Sequence, residues 1–77
     1  MRRIQILGTG CPKCKQLAAN ATAAVEHAGI EANIEKVDRI QDIMKFGVMM
    51  TPALVIDGEV KSAGKVLSAA DIELLLK

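Results

Sequence analysis

The chain has no tryptophan and no tyrosine, and Phe46 is its only aromatic residue. A core must therefore come from Ile, Leu, Val, Met and Ala, and a base-stacking nucleic-acid platform is excluded. Charge of one sign is missing too. The net charge is +1, with acids and bases interspersed, so there is no basic footprint for nucleic acid. No apolar run approaches the ~20 residues of a membrane-spanning helix. After Met1-Arg2-Arg3 only four residues precede Gly8, too few for the apolar stretch of a secretory leader. These absences lead to the expectation of a cytoplasmic protein with no nucleic-acid or membrane partner. Cysteine is scarce, with two in 77 residues. A structural zinc site wants four ligands, and the other soft ligand, His27, falls near the far end of a helix that holds the second cysteine at its start.

What remains is one small domain over residues 1–77, in which half the residues are apolar. A chain this short buries only about 60% of its unfolded surface. Arg3 to Leu7 is rich in branched residues and reads as a buried strand. From Lys13 to Ala28 an alanine-rich run places Cys14, Leu17, Ala18, Ala21, Ala24, Val25 and Ala28 on one helical face, stopped by Gly29. Ile30 to Val37 alternates, with Ile30, Ala32, Ile34 and Lys36 on one side, and reads as a half-buried strand. Asp38 is the expected N-cap of a short helix with Ile40, Ile43 and Met44 inward, ended by Gly47. Met44, Met49 and Met50 are expected to pack in core and loop, or to offer an adaptable surface beside Thr51. Ala53 to Ile56 is a strand, Asp57-Gly58 a hairpin turn, and Glu59 to Ser62 the returning strand. Ser68 and Asp71 form an acidic capping box before a last helix, with Ile72, Leu75 and Leu76 inward. The order β-α-β-α-β-β-α predicts an α/β fold, a four-stranded mixed sheet covered on both faces by three helices.

The two cysteines stand in Gly8-Thr9-Gly10-Cys11-Pro12-Lys13-Cys14-Lys15, where a strand gives way to a helix. A C-x-x-C at such a corner puts two sulfurs within reach of each other and of solvent. The unpaired N–H groups of a helix starting near Pro12 favour a thiolate, and Lys13 and Lys15 add positive charge. Cys11, in the loop, is the expected attacker, and Cys14, in the first turn, the resolving thiol. Two other readings use the same residues. G-T-G-C-x-x-C is similar to the loop of small soft-metal domains that bind Cu(I) through two thiolates, although those are βαββαβ and lack Pro between the cysteines. The pair could also act as a redox sensor within an interaction module.

Cys11-Pro12-Lys13-Cys14, this element order, and Thr51-Pro52 just before the hairpin together resemble the thioredoxin/glutaredoxin superfamily. The resemblance spans the whole chain. The G-C-P-x-C spelling and the hairpin end D-G-E-V-x-S-x-G-K look most like the small thioredoxin-like redox-active disulfide proteins. The resemblance implies a minimal thioredoxin fold and a thiol–disulfide oxidoreductase or small redox carrier. Its working group would be a redox-active Cys11–Cys14 disulfide with no further cofactor. It implies a cis Thr51-Pro52 bond, with Thr51 docking an extended substrate segment by strand addition and Gly10, Pro12 and Lys13 completing the substrate surface. The implied partners are protein disulfides and an upstream reductase, and a monomer is expected. Three departures stand out. Gly10 replaces the Trp that thioredoxins carry before the first cysteine, and Gln5 replaces their buried acid. Ser62-Ala63-Gly64-Lys65-Val66 replaces the glutathione-holding stretch of glutaredoxins, so glutathione binding is not carried over.

Overall fold

The computed structural model describes residues 2–10 and 12–76; Met1, Cys11 and Lys77 lie outside the described residues. Along the chain run β1 (Arg2–Leu7), α1 (Pro12–Ala28), β2 (Ala32–Val37), α2 (Ile40–Lys45), β3 (Ala53–Ile56), β4 (Glu59–Ala63) and α3 (Ala69–Leu76). This is the β-α-β-α-β-β-α order of a minimal thioredoxin fold. The strands form one mixed sheet in the order β2-β1-β3-β4. β1 pairs parallel with β2, with Ile4 opposite Ile34 and Ile6 opposite Lys36. On its other side β1 pairs antiparallel with β3, which in turn pairs antiparallel with β4.

Alternation along the central strands divides the interior in two, because successive side chains leave a strand on opposite faces. Ile4 and Ile6 of β1 and Leu54 and Ile56 of β3 meet Leu17, Ala18, Ala21 and Ala24 of α1 and Ile72 and Leu76 of α3. The three alanines let the α1 backbone lie close to the sheet. On the opposite face Leu7, Ala53 and Val55 meet Ile43 of α2, with Val37, Phe46 and Val48 closing the edge. Both central strands are buried from end to end except where β1 begins.

Several local expectations need correcting. β2 starts at Ala32 rather than Ile30, and Ile30 packs against the larger core cluster from the loop before it. The N-cap of α2 is Arg39, which makes no side-chain cap bond; Asp38 is one residue too early to serve. Only Ile43 of that helix is buried, and Ile40 and Met44 are 62% and 67% exposed. Six residues make less than two turns, so one inward position is all that α2 offers the sheet. Met49 and Met50 are 98% and 63% exposed, the surface alternative rather than core packing, with Met50 lying against Gly64. In α3, Ile72 and Leu76 are buried but Leu75 is exposed, since the sheet takes only the i, i+4 pair. Ser68 does cap α3, its Oγ accepting from the Asp71 N–H at 3.2 Å.

Among the described residues no helix is long and apolar enough to cross a membrane.

Candidate functional site

The corner between β1 and α1 is held from three directions. The β1–β2 ladder runs one step past the strand end, where the Gly8 N–H donates to the Val37 carbonyl at 2.9 Å. This fixes Gly8 against the edge of β2 just before Asp38. α1 begins at Pro12, where a residue without an N–H loses nothing, because the first-turn donors have no partner in the helix. From the other side, the loop before β3 is anchored by the Gly64 N–H donating to the Pro52 carbonyl at 2.8 Å.

Cys14 stands in the first turn of α1, on the face that carries Leu17, Ala18 and Ala21, and it is 6% exposed. Gly8 forms part of its cover. A methyl group on Gly8 would collide with the Cys14 Sγ, and would lie 3.1 Å from the Cys14 Cβ and 3.9 Å from the Thr51 Cβ. Gly8 is therefore the bare backbone strip over which Cys14 and Thr51 approach one another. It is glycine because a close approach needs it. Thr51 itself is exposed and Pro52 fully buried, and the peptide bond between them is cis.

Beside Cys14 opens a cavity of about 100 Å³ lined by Ile6, Gly8, Gly10, Cys14, Lys15, Lys36 and Asp38. Its floor is the sulfur-bearing side of α1 and the end of β1. Lys15, Lys36 and Asp38 are the exposed charged residues of that lining.

The anticipated site residues divide accordingly. Cys14 and Thr51 meet around Gly8, and Pro52 follows Thr51 in the core. Gly10, Pro12 and Lys13 are exposed at the start of α1, with Gly10 at φ +90° and also on the cavity wall; Lys13 is not among the residues lining it. Cys11, and with it the Cys11–Cys14 pairing, lies outside the described residues. Gln5 is buried, but on the opposite face of the sheet from Ile6, among Val37, Asp42, Lys45 and Phe46. His27 is remote: its Nδ1 lies 2.8 Å from the Glu73 carboxylate.

Three participants escaped the sequence reading. Gly8 was legible only as a turn glycine, since its task depends on where α1 returns. Asp38 looked like a helix cap. Lys36 did leave a signal, because it is the one charged member of the inward series Ile30, Ala32, Ile34, Lys36, where an apolar residue would otherwise continue the core.

Comparison with known proteins adds independent information. A family model described as thioredoxin domain matches residues 2–77. A thioredoxin of Methanothermobacter thermautotrophicus is 42% identical over 76 residues, covering 99% of this chain and 99% of that protein. A thioredoxin of Methanocaldococcus jannaschii is 42% identical over 74 residues, covering 96% of this chain and 85% of that protein.

Proposed function

Since the chain belongs to the thioredoxin domain family and is a thiol–disulfide oxidoreductase, we propose that it runs on its C-P-K-C dithiol, with Cys11 attacking and Cys14 resolving. The observation that carries this reading is the position of Cys14. It is buried at the β1–α1 corner beneath Gly8 and beside Thr51, where a second thiol can finish an exchange that the first begins.

The reaction follows from the arrangement. The Cys11 thiolate attacks one sulfur of a substrate disulfide and releases the other as a thiolate. The free N–H groups of the first α1 turn present partial positive charge toward this corner and favour the anionic sulfur. Cys14, once deprotonated, attacks the Cys11 sulfur of the mixed disulfide. The second substrate sulfur leaves, and the protein disulfide closes. Two electrons pass from protein to substrate, and a reductase returns them. The Cys11–Cys14 disulfide is the whole redox group, so no added cofactor takes part.

Exposed Thr51 offers its backbone, just ahead of β3, to a substrate strand, and Pro52, buried beside it, holds that backbone in place. Gly10, Pro12 and Lys13 form the opposite rim. This reading has protein disulfides and an upstream reductase as partners, with the chain working as a monomer in the cytoplasm.

Single substitutions test the two roles. Cys11→Ser is expected to drop reduction of insulin disulfides to background and to trap nothing. Cys14→Ser is expected to lose turnover yet accumulate a mixed disulfide through Cys11, visible by intact mass. Equal loss in both variants with no trapped adduct would overturn the assignment.

A further inference from the structure

A second cavity lies across the sheet from the cysteine corner. It measures about 290 Å³, against about 100 Å³ beside Cys14, and is lined by Gln5, Val37, Asp42, Lys45 and Phe46. Gln5 and Val37 come from the sheet face that α2 covers, Asp42 and Lys45 come from α2 itself, and Phe46 is the C-cap of that helix. The space takes several waters or one small molecule.

Gln5 is the one buried polar or charged residue among the described residues, at 7% exposed. No hydrogen bond among those residues engages its carboxamide, and the little exposure it keeps opens into this cavity. Its neighbours on the same face do not answer it. Glu35 stands opposite on β2, but that carboxylate is held by the Arg3 guanidinium at 3.3 Å. Val55 stands opposite on β3 and has no polar side-chain atom. Asp42 and Lys45 face each other at 3.6 Å. A buried carboxamide without a partner costs stability, and leucine, of similar size, would avoid that cost.

The lining also selects a kind of ligand. A carboxamide presents a donor and an acceptor side by side, and the group that answers both at once is another amide. Phe46 adds a flat π-face and Val37 an apolar wall. Asp42 and Lys45 stand together with opposite signs, so the lining favours neither a net anion nor a net cation. We propose that this cavity binds a small, planar, uncharged amide, of the aromatic carboxamide, lactam or ureide class, with its amide edge paired to Gln5 and its ring on Phe46. Bound there, the ligand bridges the sheet and α2 and steadies the helix that leads into the Met49–Thr51 loop. Because the cavity lies on the opposite face of the sheet from Cys14, the site stands independently of the dithiol roles.

Benzamide, titrated into the isotope-labelled full chain and followed by NMR, is the probe. Saturable shifts are expected at the Gln5 side-chain amide and at Val37 and Phe46, with a Kd of roughly a millimolar or below, the range open to a ligand of about nine heavy atoms. Gln5→Leu is expected to weaken binding by about tenfold or more, while the midpoint of denaturant unfolding stays level or rises. Phe46→Leu keeps apolar bulk without the π-face and is expected to weaken binding by about threefold to tenfold. Cyclohexanecarboxamide, which keeps the amide but not the flat ring, and benzoate, which keeps the ring but carries a charge, are both expected to bind more weakly than benzamide. Saturation with benzamide is expected to slow amide exchange in α2. No saturable shift up to the solubility limit of benzamide, or shifts that Gln5→Leu leaves unchanged, would overturn the site. Benzoate binding as tightly as benzamide would overturn the ligand class. A midpoint lowered by Gln5→Leu would mean that the carboxamide holds the fold together, and would overturn its role as a ligand group.

Discussion

Gly8 shows how much can depend on one missing methyl group. Its environment would place a Cβ in collision with the Cys14 sulfur and 3.1 Å from the Cys14 Cβ, and Cys14 has only its single χ1 rotor with which to yield. The other neighbour, Thr51, hangs on a loop whose next residue is fully buried, so retreat in that direction would pull Pro52 out of the core. Gly8→Ala is therefore expected to destabilise the fold by about 1–3 kcal/mol, as overpacked sites do. The midpoint of denaturant unfolding reads this directly. An unchanged midpoint would mean that the Cys14 side chain turns away freely and that the packing of this corner is loose.

The elements were legible to different depths, for physical reasons that individual residues make plain. The β3–β4 hairpin was readable because its turn is chemical: Asp57 and Gly58 take φ values of +52° and +82°, the pairing that a two-residue turn demands and that few other dipeptides supply. The long α1 was readable because its apolar period repeats over several turns. α2 was readable as a short helix but not in its cap or its inward face, since six residues give no period and its entry lacks a side-chain cap. Least legible were ties between elements far apart in sequence. The Asp57 carboxylate accepts from the Arg3 backbone N–H at 3.0 Å and from the Arg2 guanidinium at 2.6 Å, and that guanidinium also donates to the Leu76 carbonyl at 2.9 Å. The hairpin turn, the start of β1 and the end of α3 are so fastened at one point. The Arg3 backbone bond, then the Arg2 side-chain bond, hold the Asp57 carboxyl below its ordinary value of 3.8. A carboxyl depressed in the folded state stabilises the fold above its unfolded value, and that stabilisation is lost as pH falls through the folded value. Asp57→Asn keeps the left-handed turn, which asparagine tolerates, and removes the charge. Its melting temperature is expected to lie below wild type at neutral pH, with the gap closing as pH falls from the ordinary carboxyl value through the lower folded one. A gap that does not vary with pH would place the stabilisation in turn geometry rather than in charge.

Taken as a whole, the molecule is two unequal halves on one sheet. The α1/α3 face buries ten residues in a continuous cluster and carries Cys14 on its rigid helix. The α2 face buries four, holds its helix by Ile43 alone, and leads directly into the loop with exposed Met49, Met50 and Thr51. A protein that must present one sulfur at a fixed corner while admitting differently shaped partners gains from this asymmetry, because regions with few buried apolar contacts open at lower cost than the core. Native-state amide exchange is expected to separate the halves, with α2 exchanging through local opening while β1, β3 and α1 exchange only with global unfolding. Two truncations sharpen the test. Leu17→Ala removes a fully buried side chain from the large cluster and is expected to lower global stability by about 2–5 kcal/mol, drawing every slow amide down together. Ile43→Ala is expected to speed exchange in α2 with a much smaller change in the global midpoint, because the strands beneath it remain covered from the other side. If instead α2 exchanges as slowly as β1, and Ile43→Ala costs as much as Leu17→Ala, the two faces unfold as one unit. Adaptability at the substrate loop would then have to come from side chains such as Met49 and Met50 rather than from the helix behind them.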